Sequence, residues 1–238
     1  MSLLLTVALV CGLTAGQTPD PRDVVERGIA AAGGAERLAK LQAATWKTAG
    51  TFFGRPAGGQ LHGQLPDKFR LDSHTVEDGK RVPLARILNG ESGWVVKGGK
   101  VEKMTPAEVA ATRDTFHHKH VAQTLLPLRG AEYTLKWVGE NQADGQTFRI
   151  VEASRAGHPP IRLFFDRKTG LLLKSTSTSR DREGRNVPME MQFSDYRDVD
   201  GLKIAGRTRT YRDGKLLGDL RLTEFRPVRQ LPDSLFLP

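Results

Sequence analysis

The segment from Pro188 to Phe225 constrains the fold more than any other part of the sequence. It holds two Asp-Gly pairs, Asp200-Gly201 and Asp213-Gly214, which favour two-residue hairpin turns because both residues tolerate a positive φ. Ahead of the first pair, apolar side chains occupy every second position, which places them on one face of a strand. These apolar positions are Met189, Met191 and Phe193. We therefore predict three antiparallel strands here, within one curved sheet that has an apolar concave face.

The remaining chain predicts further strands and two principal helices. Period-two alternation and Gly-containing turns recur over Thr45–Met104 and Glu132–Ser177, which gives about ten strands in total. One helix is predicted over Pro21–Leu41, interrupted at Gly33-Gly34. Another is predicted over Thr105–His120, where the sequence Thr-Pro-Ala-Glu provides a capping box. No βαβ alternation and no internal repeat divides the chain, which favours an α+β fold.

The first 16 residues have the composition of a secretory signal peptide. The apolar run from Leu3 to Leu13 is too short to span a bilayer as a helix, and small residues follow it up to Gly16. We expect residues 1–16 to be removed on export, which leaves 17–238 as one domain in the periplasm or outside the cell. The alternatives are a lipid anchor on Cys11, the single cysteine, and a buried strand or helix.

The formal net charge of +9 comes from basic residues that are scattered along the chain. Runs of mixed sign such as Arg180–Arg185, and the absence of a helix-turn-helix or RNA-binding signature, disfavour a nucleic-acid partner. We interpret the excess first as a solvated surface. The second interpretation is a weak attraction to anionic lipid head groups, with transient contact at a membrane surface. We expect a monomer.

The cluster His117-His118-Lys119-His120 is the first candidate for chemistry. His117 and His120 are three residues apart on a predicted helix and could share a metal ion, which makes a metal-dependent enzyme one alternative. No third ligand is evident and Lys119 opposes a cation, so we prefer a polar helix end. The chain has no Gly-x-Ser-x-Gly, phosphate-binding loop or dinucleotide fingerprint. We therefore predict no enzymatic activity, no metal and no cofactor.

Apolar side chains on the alternating strands are the second candidate site. In an ordinary protein they form a core beneath the two helices. The functional alternative is that part of this face lines a cavity for an acyl chain or another apolar group, to which the flexible side chain of Met is suited. The ten candidates are Phe69, Leu71, Ile87, Trp94, Val96, Leu163, Phe165, Met189, Met191 and Phe193.

Several short motifs resemble the LolA/LolB-like superfamily of bacterial envelope proteins, in its outer membrane lipoprotein-sorting branch. Pro66–Leu71 resembles a strand motif of that superfamily, and Asn89–Trp94 resembles its hairpin, with Asn and Glu in place of Asp and Lys. Asp166–Leu171 resembles a turn motif. Phe193–Ile204 resembles a further segment, after which Ala stands here where Pro is usual. The likeness extends from Asp20 to Phe225.

The resemblance implies an unclosed, strongly bent antiparallel sheet with two or three helices as a lid over an apolar cavity. It implies an exported, non-catalytic periplasmic carrier or acceptor of lipids or lipoproteins, whose ligand is an acyl chain. The alternative is an envelope sensor or interaction module with the same fold, a protein partner and no carrier role. A concave face that is filled by the protein's own side chains would favour this alternative.

Overall fold

The computed structural model describes residues 18–143, 145–180 and 185–238. The predicted signal peptide and the alternative anchor at Cys11 lie outside these residues. The described helices are α1 (Pro21–Ala31), α2 (Ala35–Ala39) and α3 (Pro106–Thr124), with 3-10 helices at Leu126–Arg129 and Asp233–Phe236. The described strands are β1 (Ala43–Phe52), β2 (Arg55–Gln64), β3 (Lys68–Glu77), β4 (Lys80–Asn89), β5 (Ser92–Lys97), β6 (Lys100–Lys103), β7 (Thr134–Ala143), β8 (Gln146–Ser154), β9 (Ile161–Asp166), β10 (Leu172–Arg180), β11 (Asn186–Ser194), β12 (Arg197–Val199), β13 (Leu202–Ile204), β14 (Arg207–Arg212) and β15 (Lys215–Val228).

The helices begin where the sequence supplies capping groups. Asp20 caps α1 by accepting a hydrogen bond from a backbone N–H, and Pro21 occupies the first helical position. At α3, Thr105 and Glu108 form the predicted capping box. This helix ends at Thr124, four residues beyond its predicted end. None of the helices in the described part of the chain is long and apolar enough to cross a bilayer.

Thirteen strands form one curved antiparallel sheet that does not close, which confirms the predicted α+β fold class. Their order is β6-β5-β4-β3-β2-β1-β15-β14-β11-β10-β9-β8-β7, so β6 and β7 are the two edges. The sheet has thirteen strands where about ten were expected. The strand β1 pairs with both β2 and β15 and therefore connects the two halves of the sheet.

The two Asp-Gly pairs both form tight turns, but only one lies in the main sheet. Asp213-Gly214, with φ values of 50° and 70°, joins β14 to β15 as predicted. Asp200-Gly201 has φ values of 52° and 79°, but the strands that it joins, β12 and β13, form a separate two-stranded sheet. The three predicted strands are β11, β14 and β15, which pair in that order. The short strands β12 and β13 were not predicted; they lie between β11 and β14, where Lys203 N donates to Ala32 O at the end of α1 at 3.0 Å.

Three apolar clusters hold the helices and the C-terminal tail on the sheet. The first lies between α1, α2, the end of α3 and strands β8 to β10. The second lies between the C-terminal tail, Leu231–Phe236, and strands β1 and β4, where Phe236 is fully buried. The third lies between α3 and strands β3 to β5 and comprises Phe69, Leu88, Met104, Val109 and Phe116.

Candidate functional site

Seven of the ten candidate residues lie on the concave face of the sheet, which is the face covered by α3. Paired residues of antiparallel strands point to the same side, so the register assigns each residue to a face. Leu71 lies opposite Leu61, which lies opposite Trp46, which in turn lies opposite Phe225. Phe69 contacts Phe116 of α3, with ring centroids 5.5 Å apart. The seven residues are Phe69, Leu71, Leu163, Phe165, Met189, Met191 and Phe193.

The other three candidates, Ile87, Trp94 and Val96, lie on the opposite, convex face, where they pack near Phe236 of the C-terminal tail. The expectation of one shared face is therefore wrong for these three residues. The physical reason is that β4 is covered on both faces, and its adjacent residues Ile87 and Leu88 are both fully buried. Alternation does not identify the functional face of such a strand. Ligand contact by any of the ten residues stays a prediction.

The middle of the concave face is apolar and half-buried. Five strands, β2, β1, β15, β14 and β11, lie between β3 and β10, and we call them the central strands. The rings of Trp46 and Phe225 lie 5.7 Å apart on this face. Gly63 leaves space for the indole, because a Cβ there would lie 3.1 Å from it. The half-buried apolar residues of the central strands on this face include Trp46, Ala57, Leu61, Val187, Met189, Phe193, Leu220 and Phe225.

The helix α3 crosses over this apolar surface and contacts the sheet on both sides of it. Among the described strands, the backbone of α3 lies close to β4 and β5 on one side and to β10 on the other. Phe116 packs on β3, and His118 Nε2 lies 3.0 Å from the Oγ of Ser175 on β10. The central strands lie between these two supports. The geometry therefore leaves their concave face facing the underside of α3.

Polar contacts also hold one side of α3. Arg113 donates to the carbonyl oxygen of Gly90 at 3.2 Å and pairs with the carboxylate of Glu91 at 2.8 Å. Asp114 accepts a hydrogen bond from His158 at 3.0 Å. The carboxylate of Glu91 is open to water, so its pair with Arg113 is exchanged for water at low net cost, whereas the contact of His158 with Asp114 is mostly buried.

The three histidines of α3 occupy different surroundings. His117 hydrogen-bonds with the hydroxyl of Tyr133 at 3.1 Å and stacks on His158 with ring centroids 3.9 Å apart. Burial lowers the pKa of His117 to about 3, and His158 contributes less. Burial also lowers the pKa values of His118 and His120 to about 4. In the described ranges, no three His, Cys, Asp or Glu side chains converge as a metal site requires.

Two cavities open to solvent lie beside these elements. One, of about 330 Å³, is lined by Leu38, Gln42, Leu65, Pro66, His120, Thr124, Leu126 and Pro127. The other, of about 450 Å³, is lined by Lys47, Thr48, Gly58, Gly59, Gln60, Asp72, Ser73, His74 and Thr223. His120 lines the first cavity, whereas His117 stacks on His158, so the two histidines of the metal hypothesis have different surroundings.

Sequence reasoning missed the aromatic pair Trp46 and Phe225 at the centre of the concave face. Each lies on a strand that alternation predicts, so the sequence could indicate that each side chain faces inward. Their contact depends on the pairing of β1 with β15, and these strands come from opposite ends of the described chain. Local periodicity contains no information on such pairing.

No family model matches the sequence, and no curated protein matches it. Several solved structures match in fold. A LolA superfamily protein from Nitrosomonas europaea gives a TM-score of 0.55 at 10% identity, covering 92% of this chain and 98% of that chain. A domain assigned to outer membrane lipoprotein-sorting proteins from Vibrio parahaemolyticus gives 0.54 at 12% identity, covering 90% and 97%. A DUF1329 family protein from Desulfovibrio piger gives 0.51 at 16% identity, covering 92% and 98%.

At these identities the likeness shows the fold alone. That fold is LolA-like, which confirms the resemblance predicted from the sequence motifs. The matches cover nearly the whole length of each of the three structures, so the likeness includes the helices as well as the sheet.

Proposed function

We propose that the protein is an exported, non-catalytic binder of a hydrophobic ligand, namely the acyl chain of a lipid or lipoprotein. The observation that carries this proposal is the half-buried apolar surface of the central strands beneath α3. Interiors with a purely structural role are packed to crystal-like density. Side chains such as Trp46 and Phe225 instead keep part of their surface available.

An acyl chain matches this surface in chemistry. The described concave face of the central strands offers mainly aliphatic and aromatic side chains, with hydroxyl groups at Thr48 of β1 and at Thr208 and Thr210 of β14. Such a surface has few groups for directional recognition, so the affinity follows the apolar area that is buried. Each methylene group that leaves water contributes about 0.8 kcal/mol. We therefore expect the affinity to rise steadily with chain length.

The proposed location outside the cytoplasm is supported by two observations. The first 16 residues have the apolar and small-residue pattern of a signal peptide. The fold is shared with a protein assigned to outer membrane lipoprotein sorting. A carrier role also needs a movable cover, and we propose α3 for it, because the pair of Arg113 with Glu91 that holds one side of this helix is open to water at its carboxylate.

Two tryptophan variants test the proposal, with displacement of a fluorescent fatty acid as the measurement. Trp46 lies on the concave face and Trp94 on the convex face, so the same Trp→Ala change at Trp94 is a matched control. We expect Trp46→Ala to weaken binding by roughly tenfold, equivalent to about 1.4 kcal/mol. Trp94→Ala should leave the affinity within about twofold of the parent protein, a difference of roughly 0.4 kcal/mol.

Mass spectrometry of organic extracts from gently purified protein gives independent evidence. A co-purified lipid or fatty acid supports the proposal. The proposal fails if no lipid co-purifies and no acyl chain of any length displaces the probe. In that case the alternative of an envelope sensor or interaction module would be favoured.

A further inference from the structure

Lys119 lies on the face of α3 that is directed toward the central strands. Two neighbouring residues fix this orientation. Phe116 contacts Phe69 on β3, and His118 contacts Ser175 on β10. The central strands lie between β3 and β10 in the sheet.

Successive helical residues are about 100° apart, so Lys119 lies on the shorter arc between these two contacts. The opposite arc carries His117, whose partners Tyr133 and His158 lie outside the central strands. Lys119 is therefore placed over the apolar concave face.

The ammonium group of Lys119 has no counter-charge within the part of the chain that the structure describes. Neither an ion pair nor a hydrogen bond from Lys119 is found among these residues. The side chain is half-buried. Every fully buried side-chain nitrogen among the described residues has a hydrogen-bond partner. Lys119 Nζ has no such partner, so it keeps some access to solvent. Burial lowers the pKa of this ammonium group. A cation in this position costs free energy until an anion joins it.

The acidic residues of the central strands do not face Lys119. All three described acidic side chains of these strands lie on the convex face, where each pairs with a basic residue. The pairs are Glu190 with Lys174, Asp219 with Arg207 and Glu224 with Lys47. The described concave face of the central strands therefore has no carboxylate that could reach Lys119.

We propose that Lys119 binds the anionic head group of the ligand, so that the protein takes a single-chain anionic amphiphile rather than an uncharged acyl compound. This inference rests on the proposed function, because the acyl chain occupies the same concave face. The ammonium group donates hydrogen bonds to the anion, and the apolar surroundings strengthen this contact relative to water. A carboxylate and a phosphate monoester share the required chemistry, since both are compact anions that accept hydrogen bonds.

The test compares three ligands with the same C16 chain: hexadecanoate, hexadecyl phosphate and hexadecanol. Each ligand displaces a fluorescent fatty-acid probe from the full chain and from the variants Lys119→Met and Lys119→Arg. We expect the parent protein to bind at least one of the two anions roughly 10-fold to 100-fold more tightly than the alcohol, as for hydrogen bonds to a charged group. Lys119→Met should abolish this preference without weakening the alcohol, and Lys119→Arg should retain it.

A matched control separates the site from the general positive charge. Lys100→Met removes one positive charge from the exposed edge strand β6 and should leave the anion preference unchanged. Equal affinities of the alcohol and both anions for the parent protein would overturn the role of Lys119 while leaving the proposed function intact. Failure of all three ligands to bind would overturn the proposed function itself. A preference for hexadecanoate over hexadecyl phosphate assigns a fatty-acid head group, and the reverse assigns a phosphate head group.

Discussion

Replacing Phe236 by Ala should destabilise the protein strongly although the residue lies near the end of the chain. Its ring is fully buried on the convex face, in one cluster with Ala43, Ile87 and Leu231. Two hydrogen bonds from Arg70 to backbone carbonyl groups of the tail, at 3.1 and 3.2 Å, hold the segment in place around it. The substitution would leave a cavity between β4 and the tail.

The expected loss follows from the size of this cavity. Removing a fully buried Phe side chain costs about 3–5 kcal/mol in free energy of unfolding. Each kcal/mol lowers the melting temperature by about 2–4 °C in a protein of this length. We therefore expect the melting temperature to fall by roughly 6–20 °C.

Urea and thermal unfolding, followed by circular dichroism, measure the effect. Leu237→Ala is the matched control, because Leu237 belongs to the same tail but is 49% exposed, and its loss should stay within about 0.5 kcal/mol. The fatty-acid affinity of Phe236→Ala, measured by probe displacement below the melting transition of the variant, should equal that of the parent protein. The reason is that the tail lies on the convex face. A destabilisation below about 1 kcal/mol would refute the packing of the tail on β4. A large loss of ligand affinity would refute the assignment of the two faces.

Two further predictions concern α3 and the junction after α1. The free energy of unfolding should fall as the pH is lowered from 6.5 to 4, because buried His118 stays neutral in the folded state while the unfolded chain binds its proton. Each pH unit in this window costs about 1.4 kcal/mol of unfolding free energy per such histidine. The slope of stability against pH should be smaller in His118→Gln than in the parent protein. An identical slope in the two proteins would contradict this explanation. Gly33→Ala should lower the melting temperature far more than Gly34→Ala, since a Cβ at Gly33 would lie 2.4 Å from Gly201 O whereas nothing lies within 4 Å of one at Gly34. Equal melting temperatures of the two variants would contradict the close approach.

The elements that local chemistry determines were predictable from the sequence. Capping groups placed the starts of α1 and α3, and Asp213-Gly214 placed the hairpin between β14 and β15. Period-two alternation identified the strands. These signals are local, because the residues that determine them are adjacent in the chain.

The arrangement of the site depends on long-range contacts that local signals do not contain. Ile87 and Leu88 are adjacent and both buried, so the sequence did not show that Ile87 faces the tail while Leu88 faces α3. The position of Lys119 above the concave face likewise follows from where α3 meets β3 and β10. Its neighbours on the helix suggested only a polar helix end.

The strand order also determines when the sheet is completed during synthesis. Neighbouring strands from β1 to β6 are consecutive hairpins, and those from β7 to β15 are nearly so, which makes both runs rapid to form. The join between β1 and β15 must close almost the entire chain and waits for the final strand. Until then β1 presents an unpaired edge on which a second chain could add a strand. We expect newly made protein to be most prone to aggregation in this interval, before its last residues arrive.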